Sequence, residues 1–248
     1  GLSSKSQRDE FDALKWLNQK HLAQRQADHV LEARINAYEL AYRMQSEAPA
    51  LMDISREPAH IQQLYGMDNG ATAGFGRQCL LARRMIESGV RYTMLVHGVQ
   101  IGGASWDDHG NVKAGMIRHC REVDKPVAGL LTDLQQRGLL KDTLVVWASE
   151  MGRTSFKNGG LGKNPGRDHN GRALVMWMAG GNVKAGATAG QTDEFSLRSV
   201  GESIHVRDVH ATLLDLMGLD SERLEYLHGG RLRKLTNTGG SVLKEIIA

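Results

Sequence analysis

Apolar positions in the first part of the chain recur at helical spacing. Ser4 with Gln7 fits a capping box, and Phe11, Leu14, Leu17 and Leu22 follow at roughly helical intervals, which predicts a helix to about His21. Asp28 is placed to cap a second helix, in which Leu31, Ile35, Tyr38, Tyr42 and Met44 form one apolar stripe. Pro49 is expected to stop it, because a proline ring clashes with the turn before it. Two such helices in succession predict a helical hairpin within a helical segment over residues 1–65, with its Glu, Arg and Gln residues as a solvated face. A third helix, from about Ala73 to Ser88, turns Cys79, Leu80 and Met85 inward and ends at Gly89, suited to the left-handed position that closes a helix.

After Gly89 the pattern changes. Val90 to Val96 reads as a strand running into His97 and a loop that holds Trp106, Asp107, Asp108 and His109. A helix from about Val112 to Arg137 then ends at Gly138. Thr143 to Ala148 and Ala173 to Ala179 are short, almost wholly apolar runs of the kind that fill buried parallel strands. Strands alternating with long helices predict an α/β fold for residues 66–248, a mostly parallel sheet between helices, with the hairpin added to it. One large domain accommodates the 248 residues. Ligands in such sheets gather at the carboxyl ends of the strands. A last helix, through Ala211 to Leu216, is capped by Asp208 and closed by Gly218, and Asn158 to Gly171 reads as one long loop.

The formal charge of +3 is spread along the chain and forms no basic tract, so nucleic acid is not expected as a partner. No apolar run is long enough to span a bilayer. Cys79 and Cys120 both lie among residues of helical spacing, which favours two buried free thiols over a disulfide.

Chemistry concentrates where the predicted strands end. Asp107 and His109 are two apart, so in extended chain their side chains leave on one face and can close on one ion. Taken alone, the spacing favours a polar loop with a capping Asp and an exposed His. Glu150 follows the strand through Ala148; it is a candidate catalytic or metal-binding carboxylate, or a partner for Arg153. His169, in Arg167-Asp168-His169, is a further candidate ligand, with Asp168 either a second ligand or an outer partner. Arg153 and Arg167 flank these groups and suit bidentate contacts to a phosphate or sulfate ester, or neutralise Glu150 and Asp168. A mixed carboxylate and imidazole set leaves zinc, manganese or calcium as the divalent ion and suits zinc or manganese better than calcium. His205, Asp208 and His210 look metal-like, but a helix cap explains Asp208 without an ion.

The string Asp208 to Leu219 is similar to a helix of sulfatases and cofactor-independent phosphoglycerate mutases, with Ala211 where those proteins carry proline. Ser149-Glu150-Met151-Gly152 resembles the end of a core strand in the same alkaline phosphatase superfamily. Over nearly the whole chain the segments LNQKH, LEARINAYELAYRMQSEAP, FGRQCLLARRMIESGVRY, SWDDHGN, GLLKDTLVVWASEMGRT, GRDHN and MAGGNVKAG resemble a bacterial family catalogued as domain of unknown function 1501, often labelled sulfatase-like.

That resemblance implies an alkaline phosphatase or sulfatase-like fold and a metal-dependent hydrolase of small-molecule or glycan sulfate or phosphate esters. Asp107, His109 and His169 would hold the metal, Glu150 would complete the shell or hold a second ion, and Arg153 would orient the ester. It also implies that the nucleophile lies upstream of residue 1, so that the chain is the C-terminal part of a longer domain, and that the protein is periplasmic or extracytoplasmic. Glu150-Met151 stands where the superfamily carries Asp-His, which removes one histidine ligand of a two-metal site. The alternative is a non-catalytic binding or assembly protein that keeps a partial metal site.

Overall fold

In a computed structural model, residues 4–23, 29–100, 103–104, 106–157, 162–235 and 239–248 are described. The chain divides into two compact units, Gly1–Arg56 and Glu57–Ala248.

The first unit contains α1 (Ser4–Ala23) and α2 (His29–Met52). Arg8 and Lys15 of α1 both reach Glu39 of α2, at 3.3 and 4.0 Å, so the two helices form the expected hairpin. Pro49 does not stop α2. It sits inside the last turn, and its carbonyl accepts from Asp53 N at 3.2 Å, so the turn closes despite the ring. The Asp28 cap and the Ser4 capping box lie outside the described residues and side chains.

In the second unit the core follows from two helical stripes. After α3 (Ala59–Leu64), Gly76, Cys79, Leu80 and Arg83 are the inward positions of α4 (Ala73–Glu87), and Gly115, His119, Val123, Pro126, Leu130, Asp133 and Leu134 are those of α5 (Val112–Gln136). The steps of three and four residues put each set on one face, and the two faces pack together with Tyr65 fully buried. Both cysteines are free: Cys79 is buried and Cys120 is half-buried.

The expected parallel sheet does not form. The strands are β1 (Val99–Gln100), β2 (Gly103–Ala104), β3 (Val145–Trp147), β4 (Gly152–Arg153), β5 (His169–Asn170), β6 (Trp177–Ala179), β7 (Gln191–Thr192), β8 (Ser199–Val200), β9 (Glu225–His228) and β10 (Arg231–Lys234). Among the described residues each pairs with one partner, always antiparallel, in sheets of two strands. The two apolar runs expected to lie parallel pair as β3 with β6, Val145 opposite Ala179 and Trp147 opposite Trp177. The tryptophan rings stack with centroids 6.5 Å apart, on a ribbon whose apolar side chains are partly open to solvent.

Residues 90–96 form no strand. Thr93, Leu95 and His97 are half-buried while Tyr92, Met94 and Val96 are exposed, so the segment is extended and one-sided without a sheet partner. An apolar run states a preference for burial but neither a partner nor a direction, which is why these runs could not specify parallel pairing. An alkaline phosphatase-like α/β architecture is therefore not supported.

The last helix, α6 (Val206–Leu216), begins earlier than expected, with His205 as its cap. His205 Nδ1 accepts from Arg207 N at 3.2 Å and the Asp208 carboxylate accepts from His205 N at 2.7 Å. The other Asp208 oxygen accepts from Ser241 N at 2.8 Å, so the cap also ties down the end of the chain. No described helix is long and apolar enough to cross a membrane.

Candidate metal centre

Backbone hydrogen bonds sew three short segments together. β4 and β5 pair in a register that sets Arg153 opposite His169, so the two side chains leave the ribbon on one face. Thr154 N then donates to Asp168 O at 2.9 Å. The loop that follows Trp106 is docked on the one that precedes His169: Gly110 bridges Pro165, Asn111 N donates to Asn164 O at 3.0 Å, and Arg167 N donates to Asp108 O at 3.1 Å. Gly166 permits the approach, since a Cβ there would stand 2.0 Å from the carbonyl carbon of His109.

Asp107, His109 and His169 meet where these segments join. Asp107 Oδ1 lies 2.9 Å from His169 Nε2 and 3.0 Å from His109 Nε2, and the two imidazole nitrogens are 3.3 Å apart. Three donor atoms thus form a nearly equilateral triangle. A tetrahedral ion with bonds of about 2.0–2.2 Å has edges of roughly 3.3–3.6 Å, close to these separations.

The flanking groups set protonation. His109 faces a carboxylate with each ring nitrogen, Nδ1 3.1 Å from Asp168 Oδ1 and Nε2 3.0 Å from Asp107 Oδ1; with an ion in the triangle, Nδ1–H would donate to Asp168 and Nε2 would be left to ligate. Arg153 Nη1 stands 2.6 Å from Asp107 Oδ1. Hydrogen bonds from His169 and Arg153 hold the Asp107 carboxyl at about 2, so it is ionised at any ordinary pH.

Other candidates fall elsewhere. Glu150 is exposed, and its carboxylate makes no ion pair among the described residues; the sheet rim that was to carry it does not exist. Arg167 joins the two loops through its backbone N–H, and its side chain makes no ion pair among the described residues. The Ser149 hydroxyl donates to Met151 O at 2.9 Å and the Thr154 hydroxyl to Phe156 O, so both are committed to local turns. One oxygen of Asp208 is taken up by the helix cap and the other by Ser241 N. Sequence reasoning missed His97, His119 and Glu122, which lie behind the Trp106 loop. The available signal was a buried histidine on the inward face of α5, one turn from a glutamate.

The chain belongs to a protein family described as a protein of unknown function, DUF1501, whose model matches residues 1–247. No curated protein and no solved structure matches it.

Proposed function

We propose that this chain carries the metal centre of a metal-dependent hydrolase acting on sulfate or phosphate esters. The observation that carries the reading is the triangle of Asp107 Oδ1, His109 Nε2 and His169 Nε2, with sides of 2.9, 3.0 and 3.3 Å. Two imidazoles and one carboxylate suit zinc or manganese. Asp168, behind His109, orients that ring and raises its basicity. A divalent ion held there would supply a Lewis acid against the charge that develops on a transferring phosphoryl or sulfuryl group. Arg153, already beside Asp107, would orient the ester through its remaining donors. Glu150 and Arg167 have no part in this reading.

A second reading, a protein that holds an ion and an anionic ligand without turnover, is favoured by the commitment of the Ser149 and Thr154 hydroxyls to backbone carbonyls. Titrating the protein with zinc and manganese, and assaying aryl sulfates and aryl phosphates with each, separates the two. Metal binding lost in His169→Ala together with metal-dependent turnover supports the hydrolase. Metal binding without turnover of either ester series supports the second reading, and metal binding that survives His169→Ala removes both.

A further inference from the structure

Trp106 and Asp108 flank Asp107, and both turn toward α5 instead of the metal centre. The Trp106 ring lies over His119, with centroids 4.7 Å apart and planes tilted by 33°. Its indole Nε1 donates to His97 Nδ1 at 2.8 Å. The Asp108 carboxylate packs over Gly115, where a Cβ would stand 2.0 Å from Oδ2. That same oxygen is 3.9 Å from His119 Nε2. Residues 106 and 108 therefore anchor the loop on α5, while 107 and 109 face the triangle.

Partners that can only donate fix the protons in this anchor. An indole N–H cannot accept, so His97 Nδ1 is the unprotonated nitrogen and Nε2 carries the hydrogen, 3.3 Å from Glu122 Oε2. A guanidinium cannot accept either. Arg118 Nη2 lies 3.1 Å from His119 Nε2, so the His119 hydrogen is on Nδ1, 3.2 Å from the same Glu122 Oε2. One carboxylate oxygen thus gathers two imidazoles. Burial pushes the His97 pKa below its ordinary value despite the opposing charge of Glu122, which suits the neutral ring this arrangement requires. Phe75 closes the far side, edge-on to His97 at 5.0 Å.

We propose that Glu122 is a positioning residue for the metal centre: through His97 and His119 it fixes Trp106, and with it the direction in which Asp107 and His109 leave their loop. The inference rests on the metal reading above. Asp168 orients His109 by touching it, whereas Glu122 acts through two rings and the loop backbone. Removing either the carboxylate or the indole donor frees the loop to turn about the Trp106 anchor, and the triangle opens.

The test compares wild type with Glu122→Ala, Glu122→Gln and Trp106→Phe by zinc titration calorimetry and by 15N spectra of the imidazoles before zinc is added. Glu122→Ala and Trp106→Phe should weaken zinc binding by about 10- to 100-fold, the usual cost of losing an outer partner. Both should also move the His109 and His169 resonances, although neither residue touches those rings. Glu122→Gln should fall between, because its amide oxygen keeps an acceptor. Val123→Ala, at a buried neighbour on α5, should lower the melting temperature without changing zinc affinity, which separates positioning from plain destabilisation.

Trp106→Phe keeps the ring over His119, so it remains informative if Glu122→Ala does not fold. Zinc affinity within about twofold of wild type in Trp106→Phe, with unmoved His109 and His169 resonances, overturns the proposal. Should wild type bind zinc no better than His169→Ala, the metal reading fails and the resonances alone decide. Moved, they support a positioned loop; unmoved, they end the inference.

Discussion

Arg83 Nε lies 2.9 Å from Asp133 Oδ2, and each side chain is only 2% exposed. Arg83 also reaches Glu57 at 2.6 Å and Glu87 at 2.5 Å, Arg84 reaches Glu57 at 2.6 Å, and Arg137 reaches both Asp133 and Glu87 at 2.7 Å. Three guanidinium groups are thereby matched by three carboxylates between α4, α5 and the segment at Glu57. The Tyr65 hydroxyl adds a hydrogen bond to Asp133 at 2.9 Å. Such a set gains little over apolar packing while intact, but removing one member strands charge in the interior. Asp133→Ala is expected to lower unfolding free energy by about 3–5 kcal/mol. Tyr65→Phe, which removes one hydrogen bond to a charged group, should cost roughly 1.5–3 kcal/mol. Urea unfolding measures both, and equal costs would show that the charge balance is unimportant.

The same network makes the second unit sensitive to acid. Burial pushes the Glu57 carboxyl up, but hydrogen bonds and charge from Arg83 and Arg84 outweigh it and hold the group below its ordinary value. A carboxyl depressed in the folded state contributes stability that is present above the unfolded value, near 4.3, and is lost as pH falls through the folded one. Wild type should therefore exceed Glu57→Gln in stability at pH 7, and the gap should close below about pH 4. Melting temperatures across pH 3 to 8 test this, and a constant gap would refute it.

Helices were legible in the sequence because a helix carries its own signal. The expected bounds of α4 and α5 agree with the structure to within a residue, and of the positions expected inward on α4, Cys79 and Leu80 are buried while Met85 is half-buried. The strands were not, because a strand is defined by its partner. Residues 143–148 and 173–179 did find each other, but antiparallel and over three residues each. The reading of Glu150 lost its support for the same reason, since it was argued from a rim belonging to the sheet that does not form. Asp107, His109 and His169 were likewise expected at the ends of strands in that sheet, but the structure brings them together without it, through loop contacts at Gly110, Pro165 and Gly166 that no periodicity encodes. Asp208 was rightly assigned to a helix start, but an imidazole that accepts from the backbone moved the cap itself to His205.

The two thiols should differ sharply in reactivity. Cys79 is fully buried on the inward face of α4, and burial pushes its thiol up to about 12, while Cys120 is only half-buried on α5. Iodoacetamide at pH 8 should label Cys120 alone in the folded protein and both residues in urea. Peptide mass spectrometry reads the sites, and rapid native labelling of Cys79 would mean that α4 opens readily from α5.

The closest backbone approach at the metal centre gives the sharpest test of how it is built. Gly166 is buried against the His109–Gly110 peptide, and a Cβ added there would lie 2.0 Å from the His109 carbonyl carbon, 2.1 Å from its oxygen and 2.4 Å from Gly110 N. Backbone cannot swing aside as a flexible side chain does, so Gly166→Ala must part the two loops. That displaces His109 from Asp168 and His169, which lie on the other loop and its strand. The expected result is loss of at least about tenfold in zinc affinity, comparable to removing an outer partner of a metal ligand. Gly162, in the same loop, has nothing within 4 Å of its added Cβ, so Gly162→Ala should bind zinc as wild type does. Calorimetry on the two variants isolates the steric contact from the loss of a glycine in the loop. Equal affinities in both would show that docking of these loops does not hold the three ligands together.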